Sequence, residues 1–152
     1  MRTTEEPTGG TGPGLRSVEL VRTALGQYEA RNDRGGVISI GSGEGEDFTP
    51  VELLLAAIAG CSAVDVDHIT SRRAEPEVFE VVASGEKVRS DADGNHLTDL
   101  EVTFRLRFAD GEDGDRAREA FPRAVAQSRD RLCTVSRTVQ LGTPVQMTAE
   151  DL

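Results

Sequence analysis

Thr49-Pro50-Val51-Glu52-Leu53-Leu54-Leu55-Ala56-Ala57-Ile58-Ala59-Gly60-Cys61 is the stretch that decides the fold. Thr49 is a good helix cap. Pro50 at the first helical position has its φ already set and lacks only an N–H that the helix would not use. Glu52, three residues after the cap, can reach back to the cap's own N–H and close a capping box. The next three turns are apolar on every side. A helix of that kind is buried in a core or between subunits rather than laid on a surface. Farther on it carries Asp65, Asp67, His68, Arg72 and Arg73, so it emerges toward water, and Pro76 ends it.

Upstream, Ser17 to Arg31 reads as strand with a bend at Gly26. A turn at Asn32–Gly36 and a short strand Val37–Ile40 follow, giving a meander of two or three strands. Residues 41–47 (GSGEGED) form a loop before the helix. Residues 1–15, rich in Thr, Glu, Gly and Pro, read as a disordered tail, and residues 16–152 as one domain. Downstream, Val78–Arg89 reads as strand and Asp91–Asn95 as a hairpin turn. Leu100, Val102, Phe104, Leu106 and Phe108 alternate with polar residues, the period of a strand with one buried face. Residues 114–132 switch to helical period, with Ala117, Ala120, Phe121, Ala124, Val125 and Ser128 on one face, and Pro122 predicts a kink or late start. A short helix is expected from Cys133 to Gly142, then a last strand over 144–149. The order is that of an α+β fold with antiparallel sheets and segregated helices.

Composition bounds the function. The 152 residues, enough to bury roughly 70% of the unfolded surface, carry 17 Lys+Arg against 27 Asp+Glu, a net charge of −10. Such a chain repels phosphate backbones, and with no Trp, one Tyr and five Phe it offers no stacking platform, so nucleic-acid binding is not expected. The N-terminus lacks a signal-peptide apolar region, and the uncharged run Leu53–Val64 is too short to cross a bilayer. Two cysteines cannot staple a fold; their use fits the reduced cytoplasm, where a thiol is kept for its chemistry.

Each candidate residue has a plain reading beside the functional one. Cys61 in a buried helix is a small core residue unless something lowers its pKa and gives access. Cys133, if it caps a new helix, turns its sulfur toward the positive end of the helix dipole. Glu52 serves the capping box, and the same carboxylate can orient a basic partner. The loop 41–47 lacks a phosphate-binding Lys and is acidic. Asp91, Asp93 and Asn95 do not follow calcium-loop spacing, and Cys61 with His68 makes a poor zinc signature. Asp65, Asp67, Arg72 and Arg73 read as solvated charges, and the arginines from 116 to 131 as the outer face of a helix.

Together, Thr49–Cys61 and Cys133-Thr134-Val135-Ser136 resemble the two motifs of the OsmC/Ohr family: Pro-x-Glu-Leu-Leu leading through small residues to Gly-Cys, and Cys-Pro-Val-Ser. The resemblance covers nearly all of the chain after its tail. It implies an intertwined α+β homodimer with antiparallel sheets packed on long central helices and active sites at the subunit interface. It also implies a thiol-dependent peroxidase of organic hydroperoxides or hydrogen peroxide. Cys61 would be the peroxidatic residue and Cys133 the resolving one, with an external thiol or dithiol as reductant and no metal or organic cofactor. Glu52 matches the family glutamate that holds an arginine over the reactive cysteine. The sequence departs from the pattern in two places: residues 41–47 contain no arginine, and Thr134 stands where Pro is usual. Without a cation beside it, Cys61 keeps a higher pKa and reacts more slowly, so a redox-sensing or small-molecule-binding protein on the same fold is the alternative. Two inert core thiols are the third.

Overall fold

A computed structural model describes residues 12–152. The expected tail therefore lies, for residues 1–11, outside the described residues. The chain forms two compact units, one running through Leu53 and the other from Leu54 to Leu152.

In the first unit, β1 (Glu19–Ala24), β2 (Gln27–Arg31) and β3 (Val37–Ile40) form an antiparallel sheet in the order β1-β2-β3. The stretch 17–31 is thus a hairpin rather than one bent strand. Ala24 pairs with Gln27, and Gly26 takes φ 70°, a left-handed turn position that glycine occupies without steric cost. At the next turn the Asn32 Oδ1 accepts the N–H groups of Arg34 (3.0 Å) and Gly36 (2.8 Å), the local bonding that makes Asn a turn residue. Leu20, Ala30 and Ile38 form one cross-strand row. Leu20 and Ile38 remain 55% and 52% exposed in the single chain.

Helix α1 runs Pro50–Ser71. Its start is the expected capping box: Thr49 N–H donates to Glu52 Oε1 (3.0 Å), and Glu52 N–H donates to Thr49 Oγ1 (3.3 Å). Within the single chain the helix is enclosed on one side only. Only Ile58, Ser62, Val66 and Thr70, a single stripe at four-residue spacing, are buried, while Leu54 and Val64 are 38% and 51% exposed. By length and mean hydropathy (22 residues, 1.5) α1 meets the requirement for a bilayer crossing that the uncharged run alone does not. Two of the four residues in its buried stripe are polar, and Thr70 Oγ1 returns its proton to the Val66 carbonyl.

In the second unit, β4 (Val78–Ser90) and β5 (Gly94–Arg107) make a long hairpin with a bulge between Ser84 and Glu86. Val102, Phe104, Leu106 and Phe108 turn inward as the alternation predicts. Helix α2 (Glu112–Gln127) buries Gly114, Ala117, Ala120 and Ala124 and sets Phe121 edge-on against Phe104, with ring centroids 6.4 Å apart. Gly114 is needed for close approach, since a Cβ there would meet the Ala109 carbonyl oxygen at 1.9 Å. Pro122 lies within α2 without ending it. Then the helix widens into a π-turn, Ser128–Leu132, and α3 (Thr134–Leu141) follows, closed by Gly142 at φ 64°.

One expectation fails. Residues 143–152 form no strand. Val145 and Met147 alternate with polar residues, but they are 77% and 89% exposed and among the described residues no strand pairs with them. Alternation makes a strand only where a partner supplies hydrogen bonds and a face to cover.

Candidate active site

Cys133 ends the π-turn in extended conformation and caps α3. Its N–H donates to the Ser128 carbonyl (3.0 Å), its carbonyl accepts from Arg137 N–H (2.8 Å), and its Sγ accepts from Ser136 N–H (3.3 Å). The sulfur is fully buried. Sequence reasoning anticipated this placement at a helix start, where the free N–H groups favour negative charge on sulfur.

Cys61 lies half-buried in α1, and both thiols are free. Burial pushes the Cys61 thiol up from its ordinary value of 9.0; the Val135 N–H opposes that rise, and the neighbouring Cys133 and the charge of Asp65 reinforce it. The two cysteines are therefore side-chain neighbours, as the paired motifs require. No cation figures among these influences.

Glu52, nine positions before Cys61 on the same helix, uses its carboxylate in the capping box. Its pKa is lowered first by the Thr49 N–H and then by the Thr49 hydroxyl. Among the described residues no arginine forms an ion pair with it.

Asp65 and Ser128 were not anticipated as part of the site; Asp65 reads in the sequence as a solvated charge. One turn along α1 from Cys61, Asp65 Oδ2 accepts the hydroxyl of Ser128 at 2.9 Å, and Ser128 is 1% exposed. Ser128 thus holds Asp65 through its side chain and Cys133 through its carbonyl. A chain of bonds runs from the helix of the first cysteine to the backbone of the second. The signal available in the sequence was the four-residue spacing of Cys61 and Asp65, which puts both on one helix face, together with a Ser ending the apolar face of α2.

Beside the pair is a cavity of about 470 Å³. Leu55, Ile58, Val102, Phe104, Val125 and Val139 make it mainly apolar, Ser62, Ser128, Ser136 and Gln140 add hydroxyl and amide groups, and Glu101 and Arg129 add one charge of each sign. Neither cysteine lines it; Ser62 follows Cys61 in the chain, and Ser136, whose N–H is bound to the Cys133 sulfur, belongs to its wall. A pocket with an apolar lining and a few convergent polar groups is the usual form of a small-molecule site.

Comparison with known proteins accords with this architecture. The family described as OsmC-like protein matches residues 43–148. An uncharacterised protein of Mycobacterium tuberculosis is 30% identical over 132 residues, covering 86% of this chain and 93% of that protein. Among solved structures, an OsmC-like protein of unknown function from Vibrio cholerae superposes with a TM-score of 0.70 at 12% identity, over 84% of this chain and 95% of the other. An organic hydroperoxide resistance protein from Legionella pneumophila gives 0.56 at 13% identity, over 85% and 91%. At such identities these two establish the α+β fold. With both cysteine motifs inside or at the edge of matched structure and the family match spanning most of its length, the chain belongs to the OsmC-like protein family.

Proposed function

We propose that this protein is a thiol-dependent peroxidase in which Cys61 is oxidised and Cys133 resolves it, on one OsmC-like domain over residues 16–152. The carrying observation is the adjacency of the two free thiols beside a largely apolar cavity. The Cys61 thiolate attacks the distal oxygen of a hydroperoxide; the O–O bond breaks, the alcohol or water leaves with a proton, and Cys61 becomes a sulfenic acid. Cys133 then attacks that sulfur, water is lost, and a disulfide forms. A dithiol takes up the oxidising equivalents and restores both thiols. The chemistry uses protein sulfur alone and calls for no metal or organic cofactor. The apolar cavity favours organic hydroperoxides over hydrogen peroxide. Glu52 would orient a cation toward Cys61 when one is supplied. The half-exposed face of α1 and the row Leu20–Ala30–Ile38 support a homodimer, whose partner would cover them. The cytoplasm, with its reduced thiol pools, suits the cycle.

A second reading is favoured by Asp65 and burial, which hold Cys61 protonated: a redox sensor or ligand-binding protein with slow turnover. Stopped-flow oxidation of the reduced protein by tert-butyl hydroperoxide and by hydrogen peroxide, with thiol counting, separates them. Rapid loss of two thiols per chain, turnover of many peroxides with a dithiol, and abolition by Cys61→Ser support the peroxidase. A single slow oxidation without turnover supports the sensor, and unchanged thiols exclude both.

A further inference from the structure

We infer that the concavity between the C-terminal part of α1 and the α2–π-turn segment is a binding site for a small phosphate ester, separate from the cysteine pair. Arg73, Arg123 and Arg131 line a hollow of about 530 Å³. Three guanidinium groups around one hollow are unexpected in a chain with ten more acidic than basic residues. Elsewhere in the second unit Arg107 pairs with Glu77, Arg116 with Glu112 and Arg118 with Asp115, while Arg72, Arg89, Arg105 and Arg137 also stand without an ion pair but line no shared hollow. Among the described residues no carboxylate lies within ion-pair distance of Arg73, Arg123 or Arg131. The one acid in the lining, Asp130, is already held at both oxygens by Arg129, at 2.8 and 3.1 Å.

The Asp130 carboxyl is held below its ordinary range by the hydrogen bond from Arg129 first, with the charges of Arg137 and Arg131 adding to it. Arg73 spends one nitrogen on the Ile69 carbonyl, 2.8 Å away, which fixes the side chain over the end of α1 and leaves its remaining N–H groups for a ligand. Ile69, Ala120 and Ala126 give the hollow an apolar floor.

The number of forks selects the ligand. One guanidinium satisfies a carboxylate with two parallel bonds, whereas three converging ones match the several oxygens of a phosphate monoester or diphosphate. The volume and apolar floor admit a group of nucleotide size attached to it. A nucleic-acid chain is disfavoured, because the acidic remainder of the surface repels a long polyanion.

Pyrophosphate, adenosine monophosphate and citrate, titrated separately into the whole protein and followed by calorimetry and amide NMR, test the assignment. Both phosphates should bind, and citrate, a cluster of carboxylates, should bind more weakly. Resonances of residues 69–73 and 120–131 should move. Arg123→Gln and Arg131→Gln should each weaken binding roughly tenfold, the loss expected for one charged hydrogen-bonding partner. Arg89→Gln, which removes the same charge from an exposed site on β4, should leave it unchanged. All three arginines are exposed, so the variants should keep the wild-type melting temperature and circular dichroism. No binding by either phosphate up to about 5 mM, where affinity is no better than nonspecific, would overturn the inference. So would equal affinity in the Arg123/Arg131 double variant, or citrate binding as tightly as the phosphates.

Discussion

The Asp65–Ser128 bond makes a quantitative prediction about how the cysteine pair is held. Ser128→Ala removes a 2.9 Å hydroxyl–carboxylate bond from a residue that is 1% exposed. A hydrogen bond to a charged group contributes about 1.5–3 kcal/mol, and Asp65 is half-buried and recovers part of that from water, so a loss of about 1–2 kcal/mol is expected. For a domain of this size that corresponds to a melting temperature lower by roughly 3–6 °C. Urea unfolding should show a lower midpoint with an unchanged slope. The tether also predicts non-additivity: Asp65→Asn and Ser128→Ala combined should cost less than their sum, by about 1 kcal/mol. The bond from the Cys133 N–H to the Ser128 carbonyl survives in alanine, but the segment carrying it loses its tie to α1, so the variant should form the Cys61–Cys133 disulfide more slowly after equal oxidation of Cys61. A change in stability under about 0.5 kcal/mol, which any surface substitution could produce, with strictly additive behaviour in the double variant, would refute the tether.

Other outcomes follow from single features. Alkylation of Cys61 should show a pH midpoint above 9.0, since burial, Cys133 and Asp65 all raise its pKa, and Asp65→Asn should lower it; a midpoint below 9.0 in the wild-type protein contradicts the environment described. The same shift fixes the sign of the stability effect. A raised folded-state pKa favours the protonated fold, so this stabilisation is complete below the unfolded thiol value and is lost as pH rises through the folded one. Unfolding titrations carried upward through the ordinary thiol range should record that loss, and Cys61→Ser should remove it. Gly114→Ala, placing a Cβ 1.9 Å from the Ala109 oxygen, should destabilise by about 2–4 kcal/mol; an unchanged urea midpoint would show that the start of α2 can shift freely. Thr49→Ala removes the acceptor for Glu52 N–H and should cost about 1 kcal/mol, with helix content falling first near residue 50 in hydrogen exchange.

The elements legible in the sequence are those whose causes are local. Thr49, Pro50 and Glu52 announced α1 because capping is settled within four residues, and Gly142 announced the end of α3 for the same reason. The β5 alternation was legible because its buried face lies within one hairpin. The supposed last strand was not, because Val145 and Met147 show a pattern whose fulfilment depends on a partner strand. Nor could the sequence place Asp65, which looks like any charged residue near a helix end until Ser128, 63 positions away, is folded against it. The adjacency of Cys61 and Cys133 came from motif resemblance, since spacing alone does not bring two residues together. The burial of α1 depends on more than one chain's contacts: an apolar circumference says that a helix wants covering, and the single chain covers one stripe of it.

The π-turn at 128–132 bears on how this site arose and how it can be redesigned. A π-turn is an α-helix with one residue too many, kept only where the distortion is repaid by a contact. Deleting one exposed residue, Asp130 or Arg131, would let the segment relax into an ordinary helix while Cys133 keeps nearly its present direction, because five residues of π-turn and four of α-helix sweep nearly the same angle. What would change is the 3.0 Å bond from the Cys133 N–H to the Ser128 carbonyl, which spans that five-residue step. A single-codon deletion in this segment is therefore one the paired cysteines can tolerate, and a gap there between relatives does not by itself signal a lost pair.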